Sequence, residues 1–329
     1  NFQPTLYTGD GSTRNIDQTE NSTFQPDFVW IKNRSQADSN MLFDAARGVT
    51  KVVNSNNYAA ETTDTNSLTS FDSDGFGLGT GAGGYNDDTE SFVAWQWLAG
   101  GGAGSSNEDG SINTTTTTVN TTAGISISTY VGTGSVATIG HGLGVIPQMI
   151  IIFYRDSSSY SRRVYHSGVS ARTKDPEDYR LLLDSTAAAA DDADAWNDTA
   201  PTSTVFTVGT HDGVNGASGT YVAYCFATIA GFSSFGAYRG NGDGTGNGPT
   251  VYLGFKPAYV MIKASDRTGP WIIYDSLRSP FNEVDDQLLA DTNAAETTGS
   301  DEVDFLSNGF KIRTNDYDVN YTSAYYVYA

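Results

Sequence analysis

The stretch Phe-Gln-Pro-Asp-Phe-Val-Trp-Ile-Lys at residues 24–32 returns at residues 255–263 as Phe-Lys-Pro-Ala-Tyr-Val-Met-Ile-Lys. A looser copy, Val-Ile-Pro-Gln-Met-Ile-Ile-Ile, lies between them at residues 145–152. An internal repeat at this spacing predicts a tandem array of one small module. Such arrays more often span a distance or present a surface than hold a single active site.

Further landmarks accompany each copy in the same order. A Tyr-x-Gly-x-Gly segment precedes each copy, at residues 7–11, 130–134 and 238–242, and an aromatic segment closes each copy at residues 93–98, 222–227 and 325–329. An Asp-x-x-Arg pair follows the first and third copies at the same distance but is missing from the second. The repeat positions are Pro26, Asp44, Arg47, Trp95 and Trp97 in the first copy, and Pro257, Asp275 and Arg278 in the third.

The landmarks divide the chain into modules of an ordinary domain size. We place them at residues 1–99, 126–229 and 230–329, with a Gly/Thr-rich linker at 100–125. Short alternating apolar segments separated by Asp-Gly and Asn-Gly turns predict an all-β fold of three tandem β-sandwich or jelly-roll-like modules. We expect the strand at 28–32 to have one face in a core and one partly exposed. The long linker predicts a flexible joint that holds the first module more loosely than the other two.

The composition excludes several classes of function. The formal net charge is −20 and the sequence pI is about 4.2, so the chain lacks the clustered cations that bind nucleic acid or anionic membranes. No apolar run approaches the ~18 residues of a membrane-spanning helix. The single cysteine, Cys225, cannot form a disulfide within the chain and reads as a small buried apolar residue.

Catalytic motifs are also absent from the sequence. His141, His166 and His211 all lie in the second copy, so they cannot carry a function shared by the repeats. Asp44 and Asp275 recur, but an arginine three residues later favours a local pair that fixes a turn over a catalytic acid. We therefore expect a protein that is not an enzyme.

Two sets of residues are candidates for binding. Asn241, Asp243 and Asn247 lie in a Gly-rich segment whose oxygen atoms could hold Ca²⁺, although ordinary turn chemistry explains them as well. Trp196 and Trp271 fall outside the repeated landmarks and are candidates for an exposed contact. The repeated aromatic residues could form a sugar-stacking platform, but a core position is favoured for at least half of them. They are Trp30, Trp95, Trp97, Tyr224, Phe226, Tyr326 and Tyr328.

The segments at 24–34, 42–48, 69–76 and 95–97 together resemble a module found in virion proteins of tailed bacteriophages, especially marine ones. The resemblance covers most of the first copy, parts of the third and least of the second. It implies a β-rich, non-enzymatic virion component and supplies no catalytic residues. Such modules occur in tail fibres, appendages and other exterior structural proteins.

The resemblance leads us to expect a location on the virion exterior, as a tail fibre or host-adhesion appendage. A capsid decoration (cement) protein is the first alternative, and a secreted carbohydrate-binding or glycan-degrading protein is the second. The expected partners are other virion proteins and further copies of the chain, with host surface glycans as another candidate. Binding to nucleic acid and insertion into a membrane are not expected.

Overall fold

The computed structural model describes residues 1–20, 23–81, 83–171, 175–299 and 303–329. They form an almost entirely β structure, which confirms the predicted all-β class. Three large antiparallel sheets follow one another along the chain, and each faces a small sheet. We call each pair of sheets a unit.

The first unit contains strands β1 to β9. Its large sheet has the order β1-β9-β3-β4-β5-β6, and its small sheet has the order β2-β8-β7. The strands are β1 Phe2–Thr8, β2 Arg14–Asp17, β3 Phe28–Asn33, β4 Met41–Asp44, β5 Lys51–Asn54, β6 Thr62–Thr63, β7 Leu68–Asp72, β8 Gly75–Leu78 and β9 Ser91–Trp97.

The second unit contains strands β10 to β18 and two one-turn helices. Its large sheet has the order β10-β11-β18-β13-β14-β15-β16, and β12 pairs with β17. The strands are β10 Thr116–Asn120, β11 Ile125–Val131, β12 Ala137–Gly140, β13 Met149–Tyr154, β14 Arg163–His166, β15 Tyr179–Leu182, β16 Ala190–Asp191, β17 Val205–Val208 and β18 Thr220–Phe226. The helices are α1 Ala193–Trp196 and α2 Asp212–Asn215, with 3₁₀ turns at Ser167–Ala171 and Pro176–Asp178.

The third unit contains strands β19 to β26. Its large sheet has the order β19-β26-β21-β22-β23, and its small sheet has the order β20-β25-β24. The strands are β19 Gly236–Arg239, β20 Thr250–Tyr252, β21 Tyr259–Ala264, β22 Trp271–Asp275, β23 Leu288–Leu289, β24 Val303–Leu306, β25 Gly309–Ile312 and β26 Tyr325–Tyr328. Helix α3 is Tyr317–Asn320.

The three large sheets share one strand order. Each proline repeat forms a central strand, β3, β13 or β21, between the closing aromatic strand and the strand that carries Asp44, His166 or Asp275. The strand register identifies the equivalent positions of the three units. Phe28 pairs with Asp44, Met149 pairs with His166, and Tyr259 pairs with Asp275.

Each unit has a core of its own between its large and small sheets. In the first unit Val29 and Ile31 pack against Phe76 and Leu78 of the small sheet. Ile150 and Ile152 occupy the matching places in the second unit, and Val260 and Ile262 in the third.

The opposite faces of the three large sheets meet in a fourth, shared core. Phe28 and Trp30 enter it from the first unit, together with residues of both other units. The expectation that one face of the strand at 28–32 is partly exposed is therefore wrong, because every residue of β3 is buried. The second and third units contribute, among others, Ile151, Tyr224, Met261 and Trp271.

Equivalent backbone hydrogen bonds join the units in a closed ring. In each unit, an amide in the loop near the edge strand donates to the carbonyl that follows the central strand of the next unit. The bonds are Glu61 to Arg155 at 2.8 Å, Ala189 to Ser265 at 2.8 Å and Glu296 to Arg34 at 2.9 Å. The first unit contacts the second, the second contacts the third and the third contacts the first.

The predicted flexible joint is held in place by hydrogen bonds. The buried carboxylate of Asp27 accepts bonds of 2.6–2.7 Å from the amides of Ala99, Gly101 and Gly102. The threonine run beyond it forms β10, which extends the second large sheet. The first unit is therefore built into the ring, and the expectation that it is held more loosely is wrong.

Ion pairs strengthen two of the three junctions. Arg155 binds Glu61 through two bonds of 2.8 and 2.9 Å, and Arg34 binds Glu296 with its closest contact at 2.6 Å. These side chains are only 11–22% exposed. The third junction has Ala189 and Ser265 at the same positions.

A double-mutant cycle measures what one junction contributes. We expect Arg34→Met and Glu296→Gln to show a coupling of about 1–2 kcal/mol in urea unfolding, because contacting pairs that are partly shielded from solvent couple in this range. The exposed pair Asp10–Arg14, with 49% and 32% of the side chains exposed, is the control and should couple by less than about 0.5 kcal/mol. Equal coupling in both cycles would contradict a structural role for the ring contact.

Candidate functional site

The repeated Asp-x-x-Arg pairs close a tight turn after β4 and after β22. Asp44 accepts bonds from the backbone amide of Arg47 at 2.8 Å and from its Nε at 2.5 Å, and the guanidinium also donates to the carbonyl of Leu42 at 2.9 Å. Asp275 and Arg278 repeat this geometry. All four of these charged side chains are fully buried, so the pairs are enclosed within the protein.

Each of these turns also receives a donor from a neighbouring unit. Tyr224 Oη donates to Asp44 at 2.6 Å, and Trp95 Nε1 donates to Asp275 at 3.0 Å. In the second unit, where the sequence departs from the pattern, His166 Nε2 lies 3.0 Å from the carbonyl of Tyr328. In all three contacts the turn of one unit meets the closing strand of the next unit, in the order first to second, second to third and third to first.

Charge keeps the two arginines protonated in spite of burial. Burial alone lowers the pKa of Arg47 and of Arg278, but Asp44 and Asp275 outweigh it and raise both pKa values above their usual range. Glu61 and Glu296 add a second carboxylate to each arginine, at 3.1 and 2.9 Å. Arg155 and Arg34 bind the same two glutamates, so each site contains two arginines and two carboxylates, all of them engaged in ion pairs.

His166 makes its contact as a neutral ring. Its Nδ1 accepts a hydrogen bond from the amide of Gly168 at 3.0 Å, so the proton lies on Nε2 and is donated to the carbonyl of Tyr328. Burial lowers the pKa of His166 to about 4. His141 and His211 accept bonds from the nearby amides of Leu143 and Gly213, and no histidine belongs to a metal-ligand cluster of the described residues.

A buried cation crosses every junction of the ring. Lys32 donates to the carbonyl of Asn293, and Lys263 donates to that of Thr186, both at 3.2 Å. Arg162 donates to the carbonyl of Ala59. Burial lowers the pKa of both lysines to about 8 and that of Arg162 to about 10, because removing a cation from water favours its neutral form.

Trp271 occupies a structural position. Its Nε1 donates to the carbonyl of Leu182 at 2.8 Å, and the ring is 1% exposed. Asn40 is at the equivalent position of the first unit and donates to the carbonyl of Leu289 in the third unit. Arg162 is at the equivalent position of the second unit and donates to the carbonyl of Asn54 in the first unit. The expectation of an exposed contact is wrong for Trp271, because its ring is needed at the junction.

Trp196 is also buried, with 2% exposure, and donates to the carbonyl of Tyr179 at 3.1 Å. The expectation of an exposed ring is therefore wrong here as well. The repeated aromatics are core residues, since five of the seven are at most 9% exposed and the other two, Trp97 and Phe226, pack on the shared core. They do not form an exposed sugar-stacking platform.

The loop with Asn241, Asp243 and Asn247 uses its oxygens internally. Asp243 Oδ1 accepts bonds from the amide and hydroxyl of Thr245, both at 2.7 Å, and Asn241 Oδ1 accepts from the Asp243 amide and from Asn320. The bonds from Thr245 lower the pKa of Asp243. The loop supplies one carboxylate, fewer than a tight calcium site uses.

Another carboxylate group was not predicted. Asp38, Asp87 and Glu90 place one oxygen each within 4.8 Å of one another, and the amide of Asn33 bridges Asp38 and Glu90. Asp87 and Glu90 lie in the loop between β8 and β9 and Asp38 lies in the loop between β3 and β4, so no local motif indicates the three-residue group. The Asn33 donor and the bonds from Gly83 and Gly84 to Asp87 already occupy several of their oxygens.

A cavity of about 300 Å³ lies in the shared core, and we call it the axial cavity because all three units line it. Phe28 and Trp30 of the first unit, Met149 of the second, and Tyr259 and Met261 of the third form part of its wall. Pockets of this size and apolar lining are typical of small-molecule sites.

The chain belongs to the DUF7483 family, a domain of unknown function, whose profile matches residues 1–329. The family match thus spans all three units. No curated protein sequence matches the chain. Within the described residues, no helix is both long and apolar enough to cross a membrane.

Removing either buried carboxylate should destabilise the fold. We expect Asp44→Asn and Asp275→Asn each to lower the free energy of unfolding by about 3–5 kcal/mol, because each leaves a buried arginine with a weakened partner. Denaturant unfolding measures this, and exposed Asp88→Asn should change stability by less than about 0.5 kcal/mol. A normal stability with loss of a binding activity would assign these aspartates a functional role instead.

The buried lysines predict a rise in stability with pH. Between about pH 8 and 10 the unfolded chain keeps Lys32 and Lys263 protonated while the folded chain releases those protons, because their pKa is about 8 folded against 10.5 unfolded. The free energy of unfolding therefore increases across this window. Unfolding series at several pH values should show a smaller increase for Lys32→Met and for Lys263→Met than for the unchanged chain; parallel curves would contradict the assignment.

Proposed function

We propose that this DUF7483 chain is a structural protein on the exterior of a tailed-bacteriophage virion, in a tail fibre or host-adhesion appendage. The observation that carries the proposal is the closed ring of three similar units within one chain. Such a ring presents three related outer surfaces about one centre. This arrangement matches an attachment site with threefold symmetry on the particle. The sequence resemblance to virion modules supports the same assignment.

The proposed mechanism is binding rather than catalysis. The recurring ionisable residues, Asp44, Arg47, Asp275 and Arg278, are buried and neutralise one another. The outer surfaces remain for contacts with other virion proteins or with host glycans, where several weak contacts add through multivalency. Because one chain already contains three units in a ring, it can present three related surfaces without forming a trimer of separate chains.

A capsid decoration protein is the second candidate, and the side-by-side packing of the units favours it. Units joined end to end would make an elongated rod, whereas units that share a core make a compact body. A secreted glycan-binding protein has less support, because the repeated aromatic residues lie mainly in cores.

Quantitative mass spectrometry of purified particles of the encoding phage, with antibody labelling in electron microscopy, tests the proposal. An appendage protein should be present in few copies per particle and be labelled at the tail. A decoration protein should be present in a fixed ratio to the major capsid protein and be labelled over the head. Absence from purified particles would overturn both virion assignments.

The native mass of the isolated chain, measured by size-exclusion chromatography with light scattering, adds a second test. We expect a monomer in place of the homo-oligomer expected from the sequence, because the ring satisfies its inter-unit contacts within one chain. Incubation with host glycans should show binding without turnover. Release of sugars by the purified chain would contradict the binding mechanism.

A further inference from the structure

A pair of exposed tyrosine rings lies just before the closing strand of the third unit. Tyr317 is the first residue of helix α3 and Tyr321 directly follows the helix, so the two side chains lie about one helical turn apart. Their ring centroids are 5.2 Å apart, and the two residues are 47% and 46% exposed. Together the rings offer a contiguous aromatic surface to solvent, unlike singly exposed residues such as Tyr252.

Buried hydrogen bonds hold the backbone that carries both rings. The hydroxyl of Tyr326, a buried residue, donates to the carbonyl of Tyr317 at 2.7 Å and accepts from the amide of Tyr321 at 2.8 Å. Asn320 is also buried, and its side-chain amide donates to the carbonyl of Thr314 at 2.8 Å. The aromatic surface is therefore preorganised, which reduces the conformational entropy lost when a ligand binds.

Arg267 and Asp266 lie beside the rings with hydrogen-bonding capacity to spare. The guanidinium carbon of Arg267 lies 4.2 Å from the ring centroid of Tyr321 and 4.7 Å from that of Tyr317, which is a cation–π contact. Arg267 Nε lies 3.5 Å from Asp266 Oδ1, and neither atom makes a hydrogen bond within the described residues. Both side chains are partly exposed, so donors and acceptors remain for a ligand.

A neutral sugar ring matches this combination of groups. The C–H face of a pyranose is apolar and packs on an aromatic ring, while its adjacent hydroxyls both donate and accept hydrogen bonds. Such hydroxyls can use the carboxylate of Asp266 and the guanidinium of Arg267 together, and hydrogen bonds to charged groups are the stronger ones. Asp316 and Asp318 adjoin Tyr317, so an anionic sugar or a phosphate would be repelled by the surrounding carboxylates.

The other two units lack this surface. A buried asparagine marks the equivalent loop in each unit, since the carbonyls of Asn86, Asn215 and Asn320 each accept a hydrogen bond from the second glycine of a Tyr-x-Gly-x-Gly segment. Counted from these asparagines, the positions of Tyr317 and Tyr321 hold one glycine and one aspartate in each of the other units. The aromatic surface therefore occurs once per chain among these three loops.

We propose that Tyr317, Tyr321, Asp266 and Arg267 form a binding site for a neutral pyranose of a host-surface glycan. The sugar packs its C–H face on the two rings and directs adjacent hydroxyls to Asp266 and Arg267. A proline-rich peptide also packs on aromatic rings, but proline has no N–H to donate to Asp266. The inference rests on the proposed binding function and gives that function a location and a ligand class.

Saturation-transfer difference NMR on the whole chain tests the site, with the methyl glycosides of glucose, galactose and mannose as probes. We expect saturable transfer from the protein to the C–H protons of one sugar face for at least one of these probes. Sodium glucuronate is the charged counterpart and should bind about tenfold more weakly than the best neutral probe. Absence of saturable transfer to all the neutral probes would overturn the proposal, and tighter binding of glucuronate would overturn the neutral class.

Substitutions locate the binding. Tyr317→Ala and Tyr321→Ala each remove one ring, and Arg267→Met removes the donors but keeps an apolar stem on the rings. Each should weaken binding about tenfold. The matched control Tyr252→Ala removes a tyrosine that is 74% exposed on β20 of the same unit and should leave the affinity unchanged. Unchanged affinity in the site variants, or an equal loss in the control, would place the site elsewhere.

The sugar site and the virion assignment fail in different ways. A chain that is present on purified particles but binds none of the neutral probes would overturn the sugar site alone. A chain that binds a neutral probe through Tyr317 and Tyr321 but is absent from particles would overturn the virion assignment and leave the sugar site in place.

Discussion

Each large sheet of this protein is apolar on both faces, and that constraint governs the whole architecture. The small sheet of a unit covers only one face, which carries residues such as Val29 and Ile31. The other face, with Phe28 and Trp30, would be exposed in an isolated unit. Since burying an aromatic or branched side chain contributes about 1.5–3 kcal/mol, closure of three sheets on a shared core is a large stabilising term. The ring thus follows from the apolar side chains on both faces of each large sheet.

The contacts that close the ring depend strongly on backbone carbonyls. Asn40, Arg162 and Trp271 occupy one equivalent position and have little chemistry in common, yet each donates to a carbonyl of the neighbouring unit. A carbonyl acceptor is present whatever the side chain, so the donor can change while the contact remains. This explains how the second unit keeps its place although Asp44 and Asp275 are replaced there by His166, which also donates to a carbonyl.

The sequence predicted the elements better than their assembly. The proline repeats become central strands, and the turn signals separate short strands, because both are local properties. The run of four apolar residues at 28–31 already indicates a strand buried on both faces, but reading it as an alternating strand concealed the shared core. The positions of Trp196 and Trp271 and the meeting of Asp38, Asp87 and Glu90 depend on contacts between distant segments, which no local pattern encodes.

In one chain with three units, the sequence of each unit can change independently of the other two, which is not possible in a homotrimer. The first and third units keep an Asp–Arg cluster, while the second uses the neutral His166. Two junctions carry ion pairs, and the third pairs Ala189 with Ser265 through backbone atoms. The backbone contacts are therefore the same at all three junctions, while the side chains that accompany them differ from one junction to the next.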